Sequence, residues 1–348
     1  MKKLIILIPI LLTAILLIFL YSGQAEKVIT YPDGKWEVST THTFDEKRRE
    51  GLYHALEKRP QIHTMLIIKD GKIIEDYGIG IDNNNTIKEI NSATKSIMSM
   101  LIGIAIGEGH IESVHQSIED FIPEIKEKDT YEDLKKITIR DLLTMRSGIK
   151  WGTGNEEMTG AVSDPIDYFI SQPIDREPDR IFVYNTGGSD LLSVIIERAT
   201  GKPTPNYAEE KLFNPLKIEK YTWNQFNGGF YRGGRGIALS PYEMAKIGYL
   251  MLQDGIWDGE RIIPEGWVEE STAKYSNGDY FLAKGYGYQW VIGSHGREDY
   301  YFAAGALGQY IFVIPSNNLV VVFTGRFPDE EYPVHYALLR NYIIDYIN

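Results

Sequence analysis

Residues 91–100 read NSATKSIMSM and continue into LIGIAIGEGH. The apolar run predicts a buried helix over 92–107, ended by Gly107 and Gly109. Ser92, Lys95 and Ser96 stand where that helix begins. Serine is a good helix cap, so the plain reading is a capped core helix. The chemical reading is sharper. A spacing of three puts Lys95 on the same helix face as Ser92. Backbone amides at a helix start favour a developing negative oxygen. An amine in apolar surroundings gives up its proton more readily, because burial penalises the cation. A serine hydroxyl needs such a base to become a nucleophile.

Ser-x-x-Lys alone is a weak pattern, and the chain contains it three times. Ser147 and Lys150 straddle a helix end at Gly148, and Ser271 and Lys274 lie at the end of a surface-like helix. Only Ser92 follows a strand pair and opens a buried helix. That pair spans 62–69 and 72–81, with Asp70-Gly71 between them as a hairpin turn. A helix over 44–58 precedes it.

Further along, 111–240 reads as helix and loop, with helical stretches at 137–145, where a threonine caps the start, and at 190–198, continuing to Gly201. Helices follow over 241–253 and 264–272. Strands return at 286–292, 300–303, 309–314 and 319–324, and the end, 332–347, is helical. Strands at both ends with helices between predict an α+β fold: one antiparallel sheet built from both chain ends, flanked by helices, with a mainly helical region inserted at about 111–240.

Composition narrows the function. The 348 residues are 43% hydrophobic and 24% charged, a folded-domain balance. The net charge of −12 and the lack of a Lys/Arg cluster exclude a nucleic-acid partner and a polybasic membrane surface. Zero cysteines exclude disulfides, thiolate metal sites and cysteine nucleophiles. No histidines have the spacing of a helical zinc site, and His110 and His115, five apart around Glu112, read as solvated loop residues. No P-loop or dinucleotide glycine pattern occurs; the stretch GGFYRGGRG at 228–236 reads as a tight loop, with Arg232 and Arg235 as solvated arginines that have the chemistry to hold a carboxylate. No Gly-x-Ser-x-Gly elbow occurs either. Tyr286, Tyr288 and Trp290 alternate along a strand, which a face lining the cleft and half-buried strand packing explain equally well.

Residues 1–25 combine basic Lys2 and Lys3 with an apolar run from Leu4 to Leu20 and small residues at Gly23 and Ala25. This predicts a signal peptide or signal anchor, so the body is expected to be secreted or anchored on the extracytoplasmic face of the membrane. Residues 26–43 read as a lead-in and 44–348 as the working domain. Any membrane contact would run through the N-terminal segment alone.

Several phrases in order, NSATKSIMSMLIGIAIGEG, ITIRDLLTMRSGI, FVYNTGGSDLLSVIIERATG, IALSPYEMAKIGYLMLQDGIWDGERIIPEGWV and GYGYQW, resemble the serine β-lactamase and penicillin-binding protein superfamily. The branch most resembled holds class C β-lactamases, D-alanyl-D-alanine carboxypeptidases, esterases and nylon-oligomer hydrolases. The resemblance implies an acyl-enzyme hydrolase with Ser92 as nucleophile, Lys95 as base and Tyr184 as proton relay to the leaving group. It implies an oxyanion hole from the Ser92 and Ala306 amides. The family's Tyr-x-Asn becomes Tyr184-Asn185-Thr186, with Thr186 in the asparagine's place and Asn185 able to serve instead if the loop shifts. Its Lys-Thr-Gly strand becomes Ala303-Ala304-Gly305, without the cation. Asn185, Thr186, Ala303 and Gly305 are thus the expected substrate contacts, the substrate a small molecule or peptide, and no metal or organic cofactor is implied. These departures make a peptidase, amidase or esterase a better expectation than a β-lactamase. They also motivate a rival, a non-catalytic module that binds cell-wall peptides or β-lactams on the same fold.

Overall fold

The computed structural model describes residues 31–32, 35–40, 45–79, 84–158, 161–278, 283–327 and 333–344. The expected signal or anchor over 1–25 lies outside the described residues, as does most of the lead-in. Among the described residues, no helix is long and apolar enough to cross a membrane. One structural unit begins at Pro32 and contains the sheet and its helices.

The main elements run α1 (Glu46–Glu57), β1 (Ile62–Lys69), β2 (Lys72–Gly78), β3 (Lys88–Glu89), α2 (Thr94–Gly107), α3 (Ile139–Leu143), α4 (Thr186–Thr200), β4 (Thr222–Trp223), β5 (Ile237–Leu239), α5 (Pro241–Leu252), β6 (Gly285–Tyr286), β7 (Val291–His295), β8 (Glu298–Gly305), β9 (Gln309–Ile314), β10 (Leu319–Gly325) and α6 (Pro333–Leu338), with further short helices and a two-stranded ribbon, Ile256–Trp257 with Glu260–Arg261, between them. Asp70 and Gly71 join β1 to β2 with φ of 50° and 80°. Two left-handed residues in a two-residue turn match the twist of the strands they connect.

The main sheet has seven antiparallel strands in the order β2-β1-β10-β9-β8-β7-β6. The N-terminal hairpin closes on the C-terminal strands through β1 and β10, from Thr64 opposite Thr324 to Lys69 opposite Leu319. This is the sheet from both chain ends that the sequence predicts. β1 is buried along nearly its whole length, as a central strand covered on both faces must be. One cover is α1 with the C-terminal helical segment: Leu52, Leu56 and Leu339 share a cluster with Met65, Phe312 and Phe323. Another is α5, whose Gly248 approaches Ile311 and Val320 so closely that an added Cβ would lie 2.7 Å from their methyls.

Several expected boundaries move for local reasons. α1 starts at Glu46 because the Asp45 carboxylate accepts from the Arg48 amide. The helix expected over 137–145 contracts to α3. Thr138 and Asp141 cap its start reciprocally, and Met145, at φ 59°, stands in the left-handed region beyond its end. The helix expected over 264–272 contracts to Trp267–Ser271. The strand expected over 286–292 breaks into β6 and β7, because Gln289 takes φ 60°. Tyr286, Tyr288 and Trp290 are all buried there. Small strands were not legible: β5, inside the stretch read as helix and loop, pairs with β3 on one side and β4 on the other. Two- or three-residue strands carry no period to read.

After α6 the chain continues in a wider turn, with the Ile344 amide donating to the Leu339 carbonyl at 2.9 Å. His335 on α6 is fully buried among the rings of Tyr310, Phe323 and Phe327. Neither ring nitrogen has a hydrogen-bond partner, and burial pushes its pKa down to about 3. The unfolded imidazole, near 6.5, takes up a proton that the native one refuses. Stability is therefore fully present above pH 6.5 and falls as pH drops toward 3. The expected slope from this group is about 1.4 kcal/mol per pH unit. Urea titrations of wild type and His335→Phe at pH 7, 6 and 5 check it: the difference between the two proteins should shrink or reverse as the pH falls, and parallel curves would refute it.

Candidate active site

Ser92 does not cap the buried helix. It sits in a single 3₁₀ turn, Asn91–Ala93, that leads into α2. Asn91 starts the turn at φ 49°, a left-handed conformation that asparagine tolerates. Its side-chain amide donates to the Ala306 carbonyl at 2.8 Å. The Ser92 turn is thereby tied to the residue after the end of β8. Gly305 makes the approach possible: a Cβ there would lie 2.1 Å from the Ile90 carbonyl oxygen and 3.2 Å from the Ala93 nitrogen. The backbone at 306 and the backbone at 92 are thus neighbours, as an amide pair serving one oxyanion must be.

Lys95 lies one turn along and is 2% exposed, whereas Ser92 is half-buried and reachable. Three acceptors surround its Nζ: Ser92 Oγ at 3.1 Å, Thr186 Oγ1 at 3.1 Å and the Gly234 carbonyl at 2.7 Å. The ring face of Tyr184 completes the cage, its centroid 4.9 Å from Nζ. A neutral amine has two N–H groups and one lone pair. With Thr186 and Gly234 taking the two N–H groups, the lone pair is left for the Ser92 hydroxyl. The arrangement can therefore deprotonate Ser92, and an ammonium formed by that transfer meets three acceptors and an aromatic face.

The sequence-predicted residues divide. The structure brings together Ser92, Lys95, Tyr184, Thr186, Gly305 and Ala306. Asn185 is 2% exposed, and its side-chain oxygen caps α4 by accepting from the Gly188 amide at 2.9 Å. α4 accordingly starts four residues earlier than the expected 190, and Gly201 ends it at φ 70°. Thr186, expected to meet substrate, is buried and bonds Lys95. Ala303 is 1% exposed. Lys150 and Lys274, of the other two Ser-x-x-Lys sequences, are exposed, while Ser147 and Ser271 are buried. Arg232 stacks on Phe226, its guanidinium carbon 4.1 Å from the ring centroid.

Sequence reading missed Gly234, Asp190 and Gln289. Gly233 and Gly234 lie against the first turns of α4, where Cβ atoms would come within 2.1 Å of the Ser189 carbonyl and 2.4 Å of the Thr186 methyl. Asp190 Oδ1 accepts from both of their amides, at 2.9 and 2.8 Å. Gln289 ties the helices together. Its side chain donates to Leu142 and Leu143 carbonyls and accepts from Ser189, and its own carbonyl accepts from Ser96. The doubled glycines were a signal of close approach; nothing local marked Asp190 or Gln289 as partners of α2.

A family model described as Beta-lactamase matches residues 43–341. The 6-aminohexanoate-dimer hydrolase of Paenarthrobacter ureafaciens is 22% identical over 313 residues, 81% of this chain and 77% of that protein. The octameric penicillin-binding protein homologue from Pyrococcus abyssi has a TM-score of 0.67 at 22% identity, over 84% of this chain and 76% of that one. A D-stereospecific amidohydrolase from Streptomyces sp. has a TM-score of 0.63 at 16% identity, over 83% and 97%. These structural likenesses speak for the fold. Since the family model spans most of its length, the chain belongs to the beta-lactamase family, a family of hydrolases and penicillin-binding relatives.

Proposed function

We propose that the chain is an exported serine hydrolase working through an acyl-enzyme on an ester or amide substrate, cell-wall-derived peptides included. The observation that carries this is the buried Lys95 amine 3.1 Å from a reachable Ser92 hydroxyl. Ser92 Oγ attacks the substrate carbonyl while its proton passes to Lys95. The carbonyl oxygen takes up the charge between the Ser92 and Ala306 amides. When the carbon–oxygen or carbon–nitrogen bond breaks, Tyr184 delivers a proton to the leaving group. Water then attacks the ester on Ser92, with the same groups acting in reverse.

The absence of a cation at 303–306 supports ester or amide substrates over those held by a carboxylate. The names of the Paenarthrobacter and Streptomyces relatives, a 6-aminohexanoate-dimer hydrolase and a D-stereospecific amidohydrolase, support a hydrolase of this class. Export, with the domain secreted or anchored outside the cytoplasm, rests on the composition of residues 1–25.

The test is a fluorophosphonate probe and, separately, a fluorescent penicillin on the protein from residue 26 onward, with the adduct located by mass spectrometry. Fluorophosphonate labelling on Ser92 is expected, with Ser92→Ala unlabelled and its ester hydrolysis down by about 10⁴-fold or more. Labelling by penicillin as well would extend the substrate class to cell-wall peptide chemistry. Folded wild-type protein that takes neither label overturns the proposal in favour of a binding module.

A further inference from the structure

Lys95 cannot be set by its own helix. A lysine side chain has four carbons of free rotation, and only its partners hold Nζ at Ser92. The Gly234 carbonyl is the shortest of the three contacts and comes from a glycine pair that has no side chain of its own to anchor it. Asp190 anchors it. Its Oδ1 accepts both the Gly233 and Gly234 amides, so the peptide that presents the Gly234 carbonyl is held from its N–H side. Asp190 lies one turn after Thr186 on α4, so both N–H acceptors of Lys95 are set by one helix.

The residue is 2% exposed, and burying a carboxylate costs stability unless it does something for the fold or the site. Burial raises its pKa above the ordinary carboxylate value, against the weaker pull of the two amides, Lys95 and Arg232 toward the charged form. Around it, Lys95 faces it from α2 and Arg232 from the glycine loop; Arg232 in turn faces Arg235 and Glu89, and Lys95 faces the Tyr184 ring. Asp190 is thus the acidic group coupled to Lys95 at the base of the site.

We propose that Asp190 is a positioning residue for the base: it holds the Gly233–Gly234 peptide so that the Gly234 carbonyl meets Lys95 Nζ, and through that contact it keeps Nζ at the Ser92 hydroxyl. This rests on the acyl-enzyme reading above.

Asp190→Asn keeps the acceptor, because one carboxamide oxygen can accept the same two amides. Asp190→Ala removes it. The measurement is the rate of fluorophosphonate labelling at Ser92, with thermal unfolding of each variant. Expected for Asp190→Ala is a folded protein whose labelling rate falls by about thirtyfold or more, as in the loss of an orienting group. Expected for Asp190→Asn is recovery of most of that loss. An Asn variant that falls as far as the Ala variant, or an Ala variant that keeps its rate, overturns the proposal while the acyl-enzyme reading stands. Wild-type protein that takes no label on Ser92 overturns both.

Discussion

Replacing Lys95 with methionine should leave a folded protein that acylates about 10³- to 10⁵-fold more slowly than wild type, the range in which single members of a catalytic group fall when removed. Methionine keeps the linear stem and much of the volume, so the packing between α2 and α4 survives. What goes is the only side-chain nitrogen bonded to Ser92 Oγ among the described residues. The hydroxyl is then left with the helix amides, which stabilise an oxyanion but take no proton. Lys95→Arg should fail almost as badly. A guanidinium stays charged at any working pH, so it offers no lone pair to Ser92. Stability should move the other way. A 2% exposed amine is a costly occupant of a core, and methionine removes that cost, so the unfolding temperature should stay level or rise by a few degrees. Single-turnover acylation with a p-nitrophenyl ester, beside thermal unfolding, tests both halves. A methionine variant within tenfold of wild type would mean that another group takes the Ser92 proton.

The contrast between what the chain disclosed and what it hid has a physical origin. The hairpin at Asp70-Gly71 and the apolar run from Ile97 to Ile106 are local signals: a two-residue turn and a buried helix need only near neighbours to be read. The pairing of β1 with β10 followed because strands at both ends must find partners. The site was legible as far as helix spacing reaches, which is Ser92 and Lys95. Its remainder depends on contacts across the fold. Asn185 was read as a substrate contact because the neighbouring Tyr184 carried a motif, yet the start of α4 needed an acceptor for the Gly188 amide and took its side chain. Thr186 stands where the family pattern has an asparagine, and its hydroxyl is turned to Lys95. Asp190 sits in the midst of an apolar helix sequence, SDLLSVII, where only the returning glycine loop, more than forty residues later, gives its carboxylate a purpose.

Gly305→Ala should be the most damaging single-methyl change at the site. The new Cβ would lie 2.1 Å from the Ile90 carbonyl oxygen, a backbone atom that no rotamer change can move aside. Either β8 slides away from the Ser92 turn or the turn itself shifts. Overpacking of this kind costs about 1–3 kcal/mol of stability, and the contact with backbone puts this case at the upper end. The loss of rate should be larger than the loss of folded protein explains. The clash separates the two backbone segments that carry the Ser92 and Ala306 amides, and losing one oxyanion donor costs about 10²- to 10³-fold in kcat. Gly248→Ala is the control. There the new Cβ meets the Ile311 and Val320 methyls at 2.7 Å, on α5 and far along the chain from Ser92, and side chains can yield where backbone cannot. Its rate per folded molecule should equal that of wild type, at a smaller cost in stability. Active-site titration with the fluorophosphonate gives the folded fraction, and kcat per titrated site gives the rate. If Gly305→Ala loses activity only in proportion to its folded fraction, the end of β8 serves the fold alone, and the oxyanion must be held by other donors.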